Sequence, residues 1–321
     1  MNRFILSLAI LACCFGPARA ADSEPEPKTL KGHTDGVNAV ALSPDGKKLA
    51  TGSSDDLIII WDVATGQKER TLKGHDDSVL GLAFSANGKI LASASADHTA
   101  RIWDPATGKP GLVFKGHTDS VNSVAFSSDG KQLATASDDD TAIIWEAATA
   151  KKKTVLNGAH EDSINSVAYS HDGKWLATGS SDDTVVLWDA QTLKFTATLK
   201  GHTDTVNSVR FSPDDKWLAS AGSDGKIFIW DVKEKKEKTS FAAHKGGANC
   251  LAFTKDAGTL VSGGADDVAR IWYYKEGEEI AEISGHTDWI NDVAISADGK
   301  TLATGSDDET AKIWATSPKS K

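Results

Sequence analysis

A histidine, a hydroxyl side chain and an aspartate are the parts of a nucleophilic relay, and this chain carries them in seven sets. The histidines are His33, His75, His117, His160, His202, His244 and His286. A Ser or Thr follows each by 18 residues: Thr51, Ser93, Thr135, Thr178, Ser220, Ser262 and Thr304. An aspartate follows each by 22 residues: Asp55, Asp97, Asp139, Asp182, Asp224, Asp266 and Asp308. A hydrolytic site needs one exposed hydroxyl beside its base and an oxyanion site within reach. Seven copies of one constellation instead mark a structural rule, and no copy is singled out by a Gly-x-Ser-x-Gly elbow. Metal chemistry is no better supported, since His98 and His171 lie in single loops without partners at ligand spacing. No glycine-rich phosphate loop follows a strand and opens a helix. No catalytic, cofactor-binding or metal-ligating residue is assigned, and neither an enzyme activity nor a cofactor is expected.

The elements that carry these residues recur with them. Successive histidines are 42, 42, 43, 42, 42 and 42 residues apart, and a tryptophan follows each by 28: Trp61, Trp103, Trp145, Trp188, Trp230, Trp272 and Trp314. A period of this length points to stacked or radially arranged units, each burying its apolar face on the next. The copies begin near Gly32, Gly74, Gly116, Gly158, Gly201, Ala243 and Gly285. Within the first, Val37–Leu42 reads as a strand, Ser43–Lys47 as a tight turn with Gly46 supplying positive φ, and 49–52 as the returning strand. Residues 57–61 form a third strand and 70–73 a shorter, more polar fourth. No window holds a helical period. Eight residues after each histidine stands a small side chain, Ala41, Ala83, Ala125, Ala168, Ala252 or Ala294, with Arg210 as the exception. Small residues suit an innermost strand, where sheets converging on one axis have least room.

Length and composition agree with one large unit. The chain has 321 residues, 40% hydrophobic and 25% charged, ordinary values for a folded protein. At roughly 150 residues per domain two domains would be the first guess, but the seven copies leave no room for a second. The formal net charge of −10 argues against a phosphate-neutralising surface, so nucleic acid is not an expected partner. Residues 1–20 have the pattern of a secretory signal. A short positive start precedes the apolar run Phe4–Phe15, then Ala18-Arg19-Ala20 supplies small residues for cleavage near Ala20. Removal would take the net charge to −12 and leave Cys250 as the single cysteine, with no internal disulfide. The expected location is secreted or periplasmic, without stable membrane insertion; a lipoprotein anchored at Cys13 is the minor alternative. Residues 21–27 read as an acidic linker, 28–315 as the folded unit and 316–321 as a tail.

The pairs Trp61-Asp62, Trp103-Asp104, Trp188-Asp189 and Trp230-Asp231, with Gly-His intact in five copies, resemble the WD-repeat family. Trp145-Glu146, Trp272-Tyr273 and Trp314-Ala315 keep the Trp and lose the Asp. The resemblance covers nearly all of the chain after the leader and includes an exported, bacterial-type character. It implies an all-β, seven-bladed β-propeller of four-stranded antiparallel blades. It also implies that each His, Ser/Thr, Asp and Trp set is a hydrogen-bonded tetrad. The imidazole would donate to the Asp and accept from the hydroxyl, which accepts the indole N–H. The seventh Trp is followed by residues without strand character, whereas Lys28–Lys31 matches the other outer strands. The N-terminal strand should therefore complete the last blade and leave no open inner edge.

What remains is surface. The turns bearing the Gly-His pairs and the tetrad Asp should share one face, the top, where Asp35, Asp56, Asp77, Asp119, Asp204 and Asp288 gather. Lysines follow the opposite turns. Asp capping turns and Lys following turn glycines by local preference is one reading of this polarity; the other is an acidic top face that steers a basic partner. Three residues after each histidine come Gly36, Ser78, Ser120, Ser163, Thr205, Gly247 and, out of line, Trp289. Five residues after stand Asn38, Leu80, Asn122, Asn165, Asn207, Asn249 and Asn291. The expected contact site is Trp289 with Asp288, Asp292 and Asp307, and Leu80 two blades round the rim; Trp289 merely covering the Gly246-Gly247 loop is the competing reading. The function expected is a monomeric, non-enzymatic scaffold for one or more proteins. The alternative is a propeller enzyme, or a small-ligand or carbohydrate binder, using the channel mouth.

Overall fold

A computed structural model describes residues 26–255 and 258–316. The expected leader, its cleavage site near Ala20, Cys13, most of the acidic linker and nearly all of the tail lie outside these residues. The described chain forms seven four-stranded antiparallel sheets arranged as blades around a channel. In the first blade the strands run from the axis outward as Val37–Leu42, Lys48–Ser53, Ile58–Asp62 and Lys68–Leu72. The other blades repeat this order.

The last blade takes its outer strand from the other end of the chain. Lys28–Lys31 pairs antiparallel with Thr310–Ala315, with Leu30 opposite Ala311. Leu30 is 3% exposed and packs with Val37, Trp61 and Ile313, so the closing strand contributes to the core as well as to the ladder. The ring is closed by hydrogen bonds rather than by a covalent link, and the innermost edges face only the channel.

Among the described residues there is no single central core. Apolar side chains form layers between neighbouring sheets, as where Ala50, Ile58 and Ile60 of blade 1 meet Val79, Leu91 and Trp103 of blade 2. The second strand of each blade is covered on both faces. Its residues are small because the next blade comes close: a Cβ at Gly52 would stand 2.6 Å from Val79 Cγ1, and one at Gly263 2.5 Å from Ile290 Cγ2. Such approaches fall below van der Waals contact, so packing selects glycine or alanine there.

One feature of the innermost strands is not announced by the repeat. Each has a β-bulge in its first turn of pairing, between Val37 and Ala39 in blade 1 and at the matching place in the other six. An extra residue in one strand re-aims the side chains beside it. It turns the Asn five after each His toward the next blade, where Asn38 Nδ2 donates to Val79 O at 3.2 Å and to Ser54 Oγ at 2.9 Å. Five further asparagines make the same bond to the following blade. Leu80 makes none, so the link from blade 2 to blade 3 lacks this tie.

Candidate functional site

The repeated residues meet as tetrads in all seven blades. His Nδ1 lies 2.7–3.1 Å from the aspartate, His Nε2 2.6–2.8 Å from the Ser or Thr oxygen, and Trp Nε1 2.8–3.0 Å from that same oxygen. The network assigns the tautomer. Nδ1–H donates to the carboxylate, Nε2 accepts from the hydroxyl, and the hydroxyl oxygen accepts the indole N–H. Burial pushes His33, His117, His160, His202, His244 and His286 below the ordinary imidazole range, although each paired aspartate pulls the other way. For Asp139 burial opposes the charge, but hydrogen bonds from Thr141, Thr118 and His117 outweigh it and hold the carboxyl low. The hydroxyl of each set is wholly buried. A nucleophile in that position meets no substrate, so these sets hold loops and blades in register.

In blade 6 the network extends outward. Arg270 Nη1 bonds Asp266 at 2.7 Å and Ala243 O at 3.1 Å, while its other nitrogens reach Glu279 and Glu282. Blade 2 carries Arg101 in the same place, but Pro110 and Val113 stand where the two glutamates would be, and Arg101 Nε is buried without a partner among the described residues.

The rim residues divide. Trp289 is 53% exposed, with its amide donating to Asp288 Oδ1 at 2.8 Å and its carbonyl accepting from Asp307 N at 3.0 Å. Asp307 also accepts from Asn291 Nδ2 at 2.6 Å. Around Gly246 and Gly247 the nearest neighbours of an added Cβ are Ala265, Asn249 and Ser223 rather than the indole. Leu80 lies half-buried in the channel wall.

Asp292 does not join Trp289 on the rim. The bulge at Ile290/Asp292 turns it inward, where Oδ2 accepts from Val40 N of blade 1 and Oδ1 from Val293 N, both at 2.9 Å. Burial pushes its carboxyl up to about 6, with Arg210 pulling it down. Arg210 also lines the channel, its Nη1 donating to Val209 O at 2.9 Å and Ser166 Oγ at 3.3 Å. On the lower side Asp215 takes the turn position held by glycine in most copies, with φ +55°. Its carboxylate accepts from His171 N at 2.8 Å and Asp172 N at 2.7 Å, clamping blade 4 to blade 5. Asp292 was legible only as a departure from the repeat: six residues after each His the series runs Ala39, Gly81, Ser123, Ser166, Ser208, Cys250, Asp292.

A ring of seven such blades, pinned by tetrads and closed by the N-terminal strand, defines a β-propeller of repeating units. The profile of the "WD domain, G-beta repeat" family, WD40, matches residues 25–62, 66–104, 108–146, 151–189, 193–231, 235–273 and 277–315, and the chain belongs to that family. Among curated proteins it is similar to "Small ribosomal subunit protein RACK1z" of Arabidopsis thaliana, 50% identical over 40 residues, 12% of either chain. It is similar to "Protein Mut11" of Chlamydomonas reinhardtii, 54% identical over 39 residues, covering 12% of this chain and 10% of that one. The "Ribosome biogenesis protein BOP1 homolog" of Aedes aegypti is 32% identical over 85 residues, covering 21% and 10%. The matched segments thus span only about an eighth of the first relatives' own length.

Proposed function

We propose that this protein is an exported, non-enzymatic scaffold that holds a basic partner protein on its acidic top rim, with Trp289 as the anchor. WD40 propellers serve as platforms for protein contacts, and function has to be argued from sites on them. The observation that carries the reading is the indole of Trp289, 53% exposed on a backbone bonded to Asp288 and Asp307, where six other copies place Gly, Ser or Thr. Packing does not call for bulk at a position that glycine fills elsewhere. A large amphipathic ring with charged neighbours is what an interaction anchor offers. The rim is crowded with carboxylates: burial raises Asp56, with Asp77, Asp55, Asp76 and Asp97 adding to it. Asp183 is raised in the same way by burial and by Asp204, Asp182 and Asp224. A cationic partner relieves that repulsion. The pattern of residues 1–20 supports export, and a mature N-terminus at Ala21 is the sequencing result expected.

Trp289→Ser installs what other copies carry, so stability should stay within about 0.5 kcal/mol of the parent. Proteins captured from the exported fraction should be lost from this variant, and capture by the parent should weaken with added salt as carboxylates are screened. Equal capture by both forms, or a lower melting temperature with every partner retained, refutes the rim reading.

A further inference from the structure

The channel is lined mostly by repeating small residues, but blades 5 to 7 interrupt the pattern together. Arg210 replaces the alanine of the other six copies, and Asp292 and Cys250 replace the serine or smaller residue found elsewhere at their position. These side chains and Tyr169 line one cavity of about 520 Å³. Arg210 is held by one nitrogen only, Nη1, bonded to Val209 O and Ser166 Oγ. Its Nε and Nη2 make no bond to the described residues, which leaves a planar pair of donors of the kind that takes a carboxylate. Asp292 uses each oxygen once, on Val40 N and Val293 N, and keeps further acceptor capacity. The two charges share the cavity yet form no ion pair within 4.0 Å.

Two orphaned hydroxyls lie in the same wall. Among the described residues four buried side-chain polar atoms have no hydrogen-bond partner, and two of them, Ser208 Oγ and Tyr169 Oη, belong to residues lining this cavity. Ser208 is 3% exposed, whereas its counterparts Ser123 and Ser166 accept amides of the next blade at 3.3 and 3.1 Å. A buried polar group without a partner is costly unless something else completes it.

We propose that this cavity binds a small zwitterion of the α-amino-acid class, its carboxylate on the open edge of Arg210 and its ammonium on Asp292. A lone anion at Arg210 would meet the charge of Asp292, and a lone cation at Asp292 would meet Arg210. A molecule carrying both groups satisfies both sides. Cys250, buried beside them with its thiol pushed well up by burial, is a neutral wall element rather than a nucleophile.

The test is calorimetric titration of the full chain with the standard L-amino acids, with acetate and methylammonium as half-ligands and glucose as a neutral polyol. At least one amino acid is expected to bind saturably, and both half-ligands roughly tenfold or more weakly. Arg210→Ala and Asp292→Ser install residues that other blades carry, and each should weaken the amino acid about tenfold or more while circular dichroism stays that of the parent. The proposal is overturned if no amino acid binds at about 10 mM, if the half-ligands bind as well as the zwitterion, if glucose binds in its place, or if folded variants bind like the parent.

Discussion

Asp139→Ala tests whether a tetrad aspartate holds its blade or serves chemistry. Four donors converge on this carboxylate: His117 Nδ1 at 2.8 Å, Thr118 N at 3.0 Å, Thr141 N at 3.1 Å and Thr141 Oγ1 at 2.6 Å. The Thr118 amide is near solvent, and water can take over part of what it loses. His117 is buried against Trp145, and its Nδ1–H would be orphaned at a cost of about 1–3 kcal/mol. Together with the loss of charge-assisted bonds at Thr141, the expected cost is about 3 kcal/mol. A folded unit of this size shifts by about 2 °C per kcal/mol, so the melting temperature should fall by about 6 °C. Asp182→Ala should behave alike, since His160, Thr178 and Trp188 repeat the geometry. Asp266→Ala should cost more, because Arg270 loses one of its partners as well. The assay is scanning calorimetry of the three variants against the parent. A melting temperature for Asp139→Ala within about 1 °C of the parent would refute the structural role.

Two further outcomes follow from closure and titration. Deleting Lys28–Lys31 removes the strand paired with Thr310–Ala315 and uncovers the Leu30 layer, so light scattering should report aggregation and calorimetry a lower transition; an unchanged transition means that the ring closes otherwise. The six depressed tetrad histidines contribute stability above pH about 6.5 that is lost as pH falls through their folded values. Asp292 has the opposite sign: its carboxyl is raised to about 6, so its contribution is complete below about 3.8 and lost as pH rises through 6. Asp292→Ser should therefore melt higher relative to the parent at pH about 8 than at pH about 5, by at most about 1.4 kcal/mol because only about one pH unit below its raised value falls in that window and the open channel lets water in. A difference that does not vary with pH contradicts the raised carboxyl.

The repeat made most of the fold legible. A histidine, a hydroxyl, an aspartate and a tryptophan at constant spacing meet the same local environment in every copy, so one strand–turn–strand reading served seven times. The lack of strand character in the sequence after Trp314 and the surplus strand at Lys28–Lys31 call for each other, and the structure pairs Lys28–Lys31 with the strand bearing Trp314. Boundaries moved by a residue or two, as where the outer strand of blade 1 begins at Lys68 rather than Arg70. The rim was harder to read. Trp289 stood out because glycine, serine or threonine fills its place elsewhere, but Asp292, three residues on, was placed beside it when it faces the axis.

That error has a definite cause. Along a strand successive side chains alternate sides, so which residues face the axis depends on counting from the right place. The bulge at Ile290/Asp292 changes the count by one where the strand pairs with Leu302–Ser306, and beside it Asn291 reaches Val37 O on the neighbouring blade. The sequence by itself determined what each blade contains, because those contacts are local and repeat. Only the closed ring decided that Arg210, Cys250 and Asp292, from three blades and up to 82 positions apart in the chain, share one cavity. Their proximity comes from the convergence of seven sheets on an axis, which no single copy of the repeat encodes.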